Sequence, residues 1–498
     1  MPKRPRGNLL PLQVGPEAAG LGLSAQIYRT CLALIVAGRL APGARLPSAR
    51  QLAIDWKMSR NTVDEAIGRL QAEGFLVRRV GDGTFVAADL PGRVRRVEPV
   101  RTRRPNAIGR RALAMVSEWG RNTSSVHAPR SVPRVEAFVA GLPALDLFPV
   151  DLWRRLVARR MRVGGRGLLG YFPTLGHPPL REAIARHLAV ARGVVCSPRQ
   201  IMILNSSMQA IDLVARILLE PADKVWVEDP CYPNLRAGLT MAGARIVPIR
   251  VDADGLDVRD GVRLAPEAML ACVSPSCQYP TGATLSLERR LALLDWAERG
   301  GAWIIEDDYQ CEFAYEGRPI VPICSLDRSE RVLYVGTFTN GVFPSLRLAY
   351  VVLPPALVPV FEAVRGQQDD HTHGLMQAVL ADFADGGHLS AHLRKMRSVY
   401  QARREALVAA CARELDGVAQ LGPTTAGMNA ALHLPPDRPD RDAAAAAQSA
   451  GVRVLPLSRF AIANRSVNGL LLGYAALPER RIASGIARLA RAMSPRTR

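Results

Sequence analysis

The sequence predicts two folds in series: a small helical unit closed by a glycine-rich hairpin, then a large α/β unit built on a mainly parallel sheet. Three observations carry this. Residues 20–88 hold short serine-led amphipathic stretches ahead of two strand-like runs that meet at Gly81-Asp82-Gly83. From residue 131 to 498 apolar runs alternate with amphipathic helical runs, the pattern of βαβ units. Between them, residues 89–130 read as a linker. Its stretch from Arg93 to Arg111 holds eight arginines and one acid, and Pro91, Pro99 and Pro105 interrupt any helix.

Composition narrows the function classes. A chain of 498 residues exceeds one core, and 48% hydrophobic content suffices for globular domains. No apolar run reaches membrane-spanning length, and the basic start Met1–Arg6 is not followed by the apolar segment of a secretory leader, so a cytoplasmic protein without a membrane partner is expected. Eight scattered cysteines without a CxxC pair argue for reduced thiols rather than disulfides or zinc. The formal charge is +20, and residues 1–125 carry 21 Lys or Arg against 9 Asp or Glu. Arginine supplies nearly all the cations, a compositional bias in itself, but the local excess at the front points to nucleic acid.

The small unit can be justified element by element. Ser48 is placed to cap a helix with Leu52 and Ala53 on its apolar side, and a turn at Lys57–Met58 leads to a second cap at Ser59. The next helix carries Val63, Ala66, Ile67 and Leu70 on one face and Arg60, Asn61 and Thr62 in its first turn. A second helix that offers N-terminal side chains to base edges is helix-turn-helix logic. Gly74-Phe-Leu-Val and Gly81-Asp-Gly-Thr-Phe-Val then read as a two-stranded wing. The stretch Leu23–Val86 resembles the GntR family of winged-helix regulators. It carries Ala37-Gly-Arg-Leu, Pro42-Gly, Leu46-Pro-Ser-x-Arg50, Ser59-Arg-x-Thr-Val, Ala72-Glu-Gly-x-Leu and the Gly81-x-Gly-Thr-Phe-Val wing. The resemblance implies double-stranded promoter or operator DNA as partner. It points to Arg45, Ser48 and Arg50, to Ser59, Arg60, Asn61 and Thr62 on the recognition helix, and to Gly83 and Thr84 at the wing.

In the large unit the expected strands are Ile201–Leu204, Lys224–Glu228, Ala244–Ile249, Met269–Val273, Trp303–Ile305 and Val332–Val335. Helices over Gln209–Leu219 and Leu287–Arg299 lie among them, and the alanine run Ala443–Ala447 reads as helix. Several strand ends carry polar clusters. They include Asn205-Ser-Ser before an apolar helix, Glu228-Asp-Pro-Cys-Tyr232, Ser274-Pro-Ser-Cys-Gln-Tyr-Pro-Thr-Gly, Glu306-Asp-Asp-Tyr309 and Gly336-Thr-Phe-Thr-Asn340 through Arg347. Two aspartates behind an Ile-Ile strand call for a nearby cation.

These clusters resemble the cofactor segments of fold-type-I pyridoxal-phosphate (PLP) proteins. With the winged helix in front, residues from about 23 to 490 resemble the MocR family, which joins a GntR-type domain to an aminotransferase-like one. Further matches are Trp226-Val-Glu-Asp-Pro-x-Tyr-Pro, Ala302-Trp-Ile-Ile-Glu-Asp-Asp-Tyr, Tyr334-Val-Gly-Thr-Phe, Gln377-Ala-Val-Leu-Ala-Asp-Phe and Gly469-Leu-Leu-Leu-Gly-Tyr-Ala. The resemblance implies a homodimer with cofactor sites near the subunit interface. Ser206, Ser207, Thr337, Thr339 and Arg347 would hold the phosphate and Tyr232 would cover the ring. Asp307 would pair with the pyridine nitrogen, Tyr309 would bond the ring hydroxyl, and Arg459 would grip an effector carboxylate. Four of them have a plainer reading: Ser206 and Ser207 as helix caps, Tyr232 as a core ring, Arg459 as a surface cation.

The departures from the pattern cluster. Asn340 stands where the family places the lysine whose amine bonds the cofactor aldehyde, and a carboxamide cannot do so. Ser206 replaces a glycine, Met208 a glutamine, Cys277 a histidine, and Gln310-Cys311 an Asp-Ser pair. Lys224, at a strand start, and Lys395, in a charged helical run, are badly placed substitutes. His371 and His373, and the pair His388 and His392, lack the accompanying acids or cysteines of a metal site. The expectation is therefore a non-enzymatic regulator with no metal. Two states of the pocket stay open: one that retains PLP or pyridoxamine phosphate non-covalently, and one that is empty or takes another small molecule. The competing class is a PLP-dependent aminotransferase.

Overall fold

The computed structural model describes residues 22–79, 81–90, 138–310, 312–315 and 320–493. The chain divides into two compact units, residues 1–118 and 119–498. Residues 91–130 of the expected linker, and Cys311, lie outside the described residues.

Among its described residues the first unit packs three helices, α1 (Leu23–Val36), α2 (Ala49–Asp55) and α3 (Arg60–Ala72). Ser48 accepts from Gln51 N at 3.2 Å and Ser59 from Thr62 N at 3.1 Å, so both serines cap as their positions suggested. Between the helices Lys57 takes a left-handed turn at φ 54°. Val63, Ala66, Ile67 and Leu70 are buried with Ile27, Cys31 and Ile35 of α1 and Leu52 of α2. Strands β1 (Leu76–Arg79) and β2 (Gly83–Val86) pair antiparallel. A third segment joins them: Leu46 N donates to Thr84 O, Val86 N donates to Ala44 O, and Arg45 bridges Phe85. The wing is thus a three-segment sheet, one more than the sequence suggested.

The second unit is built on eight strands: β3 (Ile201–Leu204), β4 (Lys224–Asp229), β5 (Arg245–Asp252), β6 (Gly255–Leu256), β7 (Leu270–Val273), β8 (Trp303–Asp307), β9 (Val332–Thr337) and β10 (Ala349–Val352). Their order is β3-β10-β9-β8-β7-β4-β5-β6. The run β5-β4-β7-β8-β9 is parallel, while β10 is antiparallel to both β3 and β9. The strands read as unbroken apolar runs because helices cover both faces. On β3, Met202 and Leu204 join a core with Ala210, Val214 and Leu235, while Ile201 and Ile203 join another with Leu180, Ile184 and Leu188.

A smaller antiparallel sheet follows, formed by β11 (Gln420–Leu421), β12 (Asn429–His433), β13 (Leu455–Pro456) and β14 (Gly469–Gly473) in the order β11-β12-β14-β13. Helices His388–Glu414, Asp440–Ser449 and Glu479–Met493 pack on it through Leu407, Ala447, Ile482, Ile486 and Leu489. The alanine run lies in the second of these. Among the described residues no helix is long and apolar enough to cross a membrane, and no group of His, Cys, Asp and Glu could hold a metal ion. His373 instead caps the helix Gly374–Asp385, and His392 is buried edge-on to Phe148 at 5.5 Å.

Candidate functional sites

On the first unit, the start of α3 presents Arg60 and Asn61 to solvent. Ser59 and Thr62 bond to each other through their hydroxyls at 2.6 Å, which orders both at the cap and leaves one hydroxyl proton as a donor. Arg60 reaches Asp64 at 3.4 Å in an exposed pair, a weak tether that leaves the guanidinium available. Arg45 and Arg50 are exposed, and Ser48 is engaged as the α2 cap. Gly83 sits at φ +118°, and a Cβ there would meet Arg45 Nε at 3.1 Å. Glycine at this place both allows the backbone and leaves room for the arginine.

On the second unit, the carboxyl ends of β4, β7, β8 and β9 lie side by side, where open α/β sheets form their sites. Four acids gather there. Glu306 is fully buried and accepts from Ile323 N and Cys324 N at 2.8 and 2.9 Å. Burial, with the charge of Asp308 nearby, pushes its carboxyl up to about 7. Glu228 rises to about 7 through burial as well, although Ser274 N and Gln278 Nε2 donate to it. Asp308 takes Arg192 through Nε at 3.0 Å and Nη2 at 2.7 Å, and Tyr334 Oη at 2.7 Å. The cation that the sequence called for is therefore Arg192, from the helix Pro178–Arg192, and it serves Asp308 rather than Asp307. Among the described residues, Asp307 keeps a buried Oδ1 with no hydrogen-bond partner. Burial, and secondarily the charge of Asp308, pushes it up to about 7.

The other predicted residues fall into three groups. Tyr309 and Thr337 line one cleft with Asp308 and Gly341, and Asn340 Nδ2 donates to Tyr309 O at 3.1 Å. Thr337 Oγ1 donates to Thr339 Oγ1 at 3.0 Å and accepts from Thr339 N at 3.2 Å. Arg347 is exposed and held at φ 52°, an uncommon conformation for a residue with a side chain. Ser206 and Ser207 lie after β3 at the start of the helix Ser207–Leu218. Ser206 Oγ accepts from Gln209 N at 3.2 Å, which uses a lone pair and leaves its proton as a donor.

The third group is aromatic, and its centre was missed. Tyr279 meets Tyr232 at 5.7 Å, Tyr309 at 6.1 Å and Phe460 at 5.3 Å, all edge-on. It belongs to the Ser274–Gly282 loop, which gave the only signal in the sequence. Phe460 follows Arg459, which is exposed. That segment is clasped to the end of β4. Phe460 O accepts from Cys231 N at 3.0 Å, and buried Asp229 accepts from Ile462, Ala463 and Asn464 N–H groups at 2.8 Å each. Asp229 was also missed, although it stands inside the Glu228-Asp-Pro-Cys-Tyr232 cluster at the end of β4. Two of the departures have structural work: Gln310 Oε1 accepts from Met428 N at 3.0 Å, and Cys277 Sγ lies 3.8 Å from Ala426 O.

Comparison with known proteins settles the family. Residues 23–86 match the pattern of bacterial regulatory proteins of the gntR family, and residues 145–489 that of class I and II aminotransferases. The chain is 38% identical to the probable rhizopine catabolism regulatory protein MocR of Rhizobium meliloti, over 94% of this chain and 93% of the relative. The chain belongs to the MocR-type regulators. It is also 32% identical to the HTH-type transcriptional regulator TauR of Rhodobacter capsulatus, over 92% and 94% of the two chains. Among solved structures it resembles the Pyrococcus horikoshii kynurenine aminotransferase in complex with PMP, KYN and KYA. That match has a TM-score of 0.68 and 28% identity, and covers 77% of this chain and 96% of that one. This MocR-type chain is thus a DNA-binding transcriptional regulator with an aminotransferase-like unit, of a fold family that binds PLP. Its residues fit such a group: Asp307 offers an unpartnered buried oxygen for a ring N–H, and the helix Ser207–Leu218 offers its N-terminus and Ser206 for a phosphate.

Proposed function

We propose that this regulator reads promoter DNA through its winged helix and senses a B6 vitamer, or its adduct with an amino acid, held without a covalent bond. In this reading Asn340 occupies the lysine position, and the large unit does not turn over substrates. Asp307 pairs with the ring nitrogen and Tyr232 covers the ring. Tyr309 bonds the ring hydroxyl, and Ser206, Ser207, Thr337, Thr339 and Arg347 hold the phosphate. Arg459, clasped beside the aromatic group, takes an effector carboxylate. The working form is a homodimer, with residues 20–88 as the DNA-binding domain, 89–130 as linker and 131–498 as the effector and dimerisation domain. When bound in an aminotransferase the cofactor supplies an electrophilic ring that accepts electrons from an amine. Here the chain's own part is to bind and orient it.

The observation that supports this most is Asp307 Oδ1, buried without a partner two residues before Tyr309, whose carbonyl accepts from Asn340. A buried acceptor of this kind is costly unless a ligand completes it. Borohydride treatment of the purified protein with pyridoxal phosphate is expected to leave no pyridoxyl group on the chain, and bound vitamer should be removed by dialysis. A pyridoxyl-modified peptide would overturn the reading. Asn340→Lys is expected to give a visible absorbance band with added pyridoxal phosphate. A colourless variant would mean that the pocket has lost the vitamer altogether.

A further inference from the structure

The outer face of the wing carries an arrangement that neither helix capping nor the recognition helix explains. Arg45 lies across from Phe85 in the bridge between the 43–46 segment and β2, and Val77 pairs with Phe85 on its other side. Arg79 pairs with Gly83, one row nearer the tip on the same face. The guanidinium of Arg79 lies 4.8 Å from the centre of the Phe85 ring, and that of Arg45 lies 6.0 Å from it. Both arginines are exposed, and the ring is half-buried. The opposite face of the sheet is closed by buried Leu46, Leu76 and Val86. Val77 beside the ring is 48% exposed, so the outer face as a whole is turned to solvent. Gly83 completes the set, because a Cβ there would stand against Arg45 Nε. Among the described residues neither arginine has a carboxylate partner, whereas Arg60 and Arg69 on α3 do.

We infer that Phe85 is a positioning residue that holds Arg45 and Arg79 as a pair of phosphate contacts on duplex DNA. An aromatic face holds a guanidinium by its centre and leaves its N–H edge directed outward, where a carboxylate partner would consume it. Two cations fixed in this way lose less side-chain freedom on binding than two free arginines. Phosphate contacts of this kind strengthen binding to any sequence and set the protein's placement on the duplex. This rests on the DNA-binding reading. The test uses the full-length protein, a duplex from its own upstream region and an unrelated duplex, with binding followed by fluorescence anisotropy at several salt concentrations. Arg79→Gln is expected to lower the slope of log affinity against log salt by about 1. Phe85→Leu is expected to weaken binding to both duplexes by roughly 3- to 10-fold, the loss of one or two such contacts. Phe85→Tyr should restore it, and the double variant Phe85→Leu with Arg79→Gln should bind no worse than roughly twofold below the weaker single variant. Thermal unfolding of each variant separates a misfolded wing from a misplaced arginine. A well-folded Phe85→Leu with wild-type affinity and salt slope, or fully additive losses, would overturn the inference. Wild-type protein that binds neither duplex would instead overturn the DNA-binding reading beneath it.

Discussion

Replacing Asp307 by asparagine should stabilise the protein without ligand and abolish the vitamer binding proposed for it. Burial raises this carboxyl from the ordinary aspartate range to about 7. That is about three powers of ten in proton affinity, at roughly 1.4 kcal/mol each, a ceiling of about 4 kcal/mol against the ionised form. Water reaches part of the residue, which screens the cost, so about 2 kcal/mol is the working figure. The sign follows from the raised value in the folded state. Below about pH 4 the group is protonated in both states and costs nothing. The penalty grows as pH rises towards 7 and is complete above it. Asparagine keeps the shape, carries no charge and removes the penalty. Urea unfolding followed by far-UV circular dichroism, without added vitamer, should show Asp307→Asn more stable than wild type by about 2 kcal/mol at pH 8. The advantage should be clearly smaller at pH 5. Added pyridoxamine phosphate should stabilise the wild type and leave the variant unmoved. An advantage equal at both pH values, or a variant less stable at pH 8, would refute the argument that this acid is held in readiness for a cation.

Asp229→Ala removes three charge-assisted bonds to the 462–464 segment. Ala463 is exposed and its N–H regains water, while Ile462 and Asn464 are half-buried, so a loss of about 2–4 kcal/mol is expected in the same urea assay; under 1 kcal/mol would show that the clasp is idle. Arg60→Ala should leave the unfolding midpoint nearly unchanged, because its pair with Asp64 is exposed. It should cost roughly 1–3 kcal/mol of preference for the upstream duplex over an unrelated one, and unchanged preference would remove Arg60 from base reading. Burial pushes the thiol of Cys31 up to about 11 and those of Cys231, Cys277 and Cys411 to about 12. Peptide mapping after native labelling at pH 8 should therefore find these four slow to react, and labelled readily in urea. Fast labelling of any of them in the native protein would contradict its burial.

Much of this was legible in the chain because the relevant signals are local. Ser48 and Ser59 announce helix starts through spacing alone. The parallel strands are short apolar runs between amphipathic helices, and their ends carry the polar clusters of the candidate site. What escaped depends on distant partners. Strand β10 is as apolar as its neighbours, so nothing in its four residues reveals that it runs the opposite way. The strands β11 and β13 have two residues each and exist only through pairing. The need for a cation beside Asp307-Asp308 could be read, but not that Arg192, far away in sequence, would satisfy one aspartate and leave the other. Tyr279 stands inside the Ser274–Gly282 loop, yet its place at the centre of the aromatic group appears only when β4, β7 and the Phe460 segment meet.

The strand order also dictates a timetable for synthesis. β3 sits at the edge of the large sheet, and among the described residues its one neighbouring strand is β10, whose residues come about 145 positions later. At roughly 5–20 residues per second, the ribosome needs on the order of ten to thirty seconds to supply that neighbour. The small front unit has its own core and waits for nothing. Each newly made chain therefore passes through an interval in which its winged helix is complete while the first strand of its large sheet still has no partner.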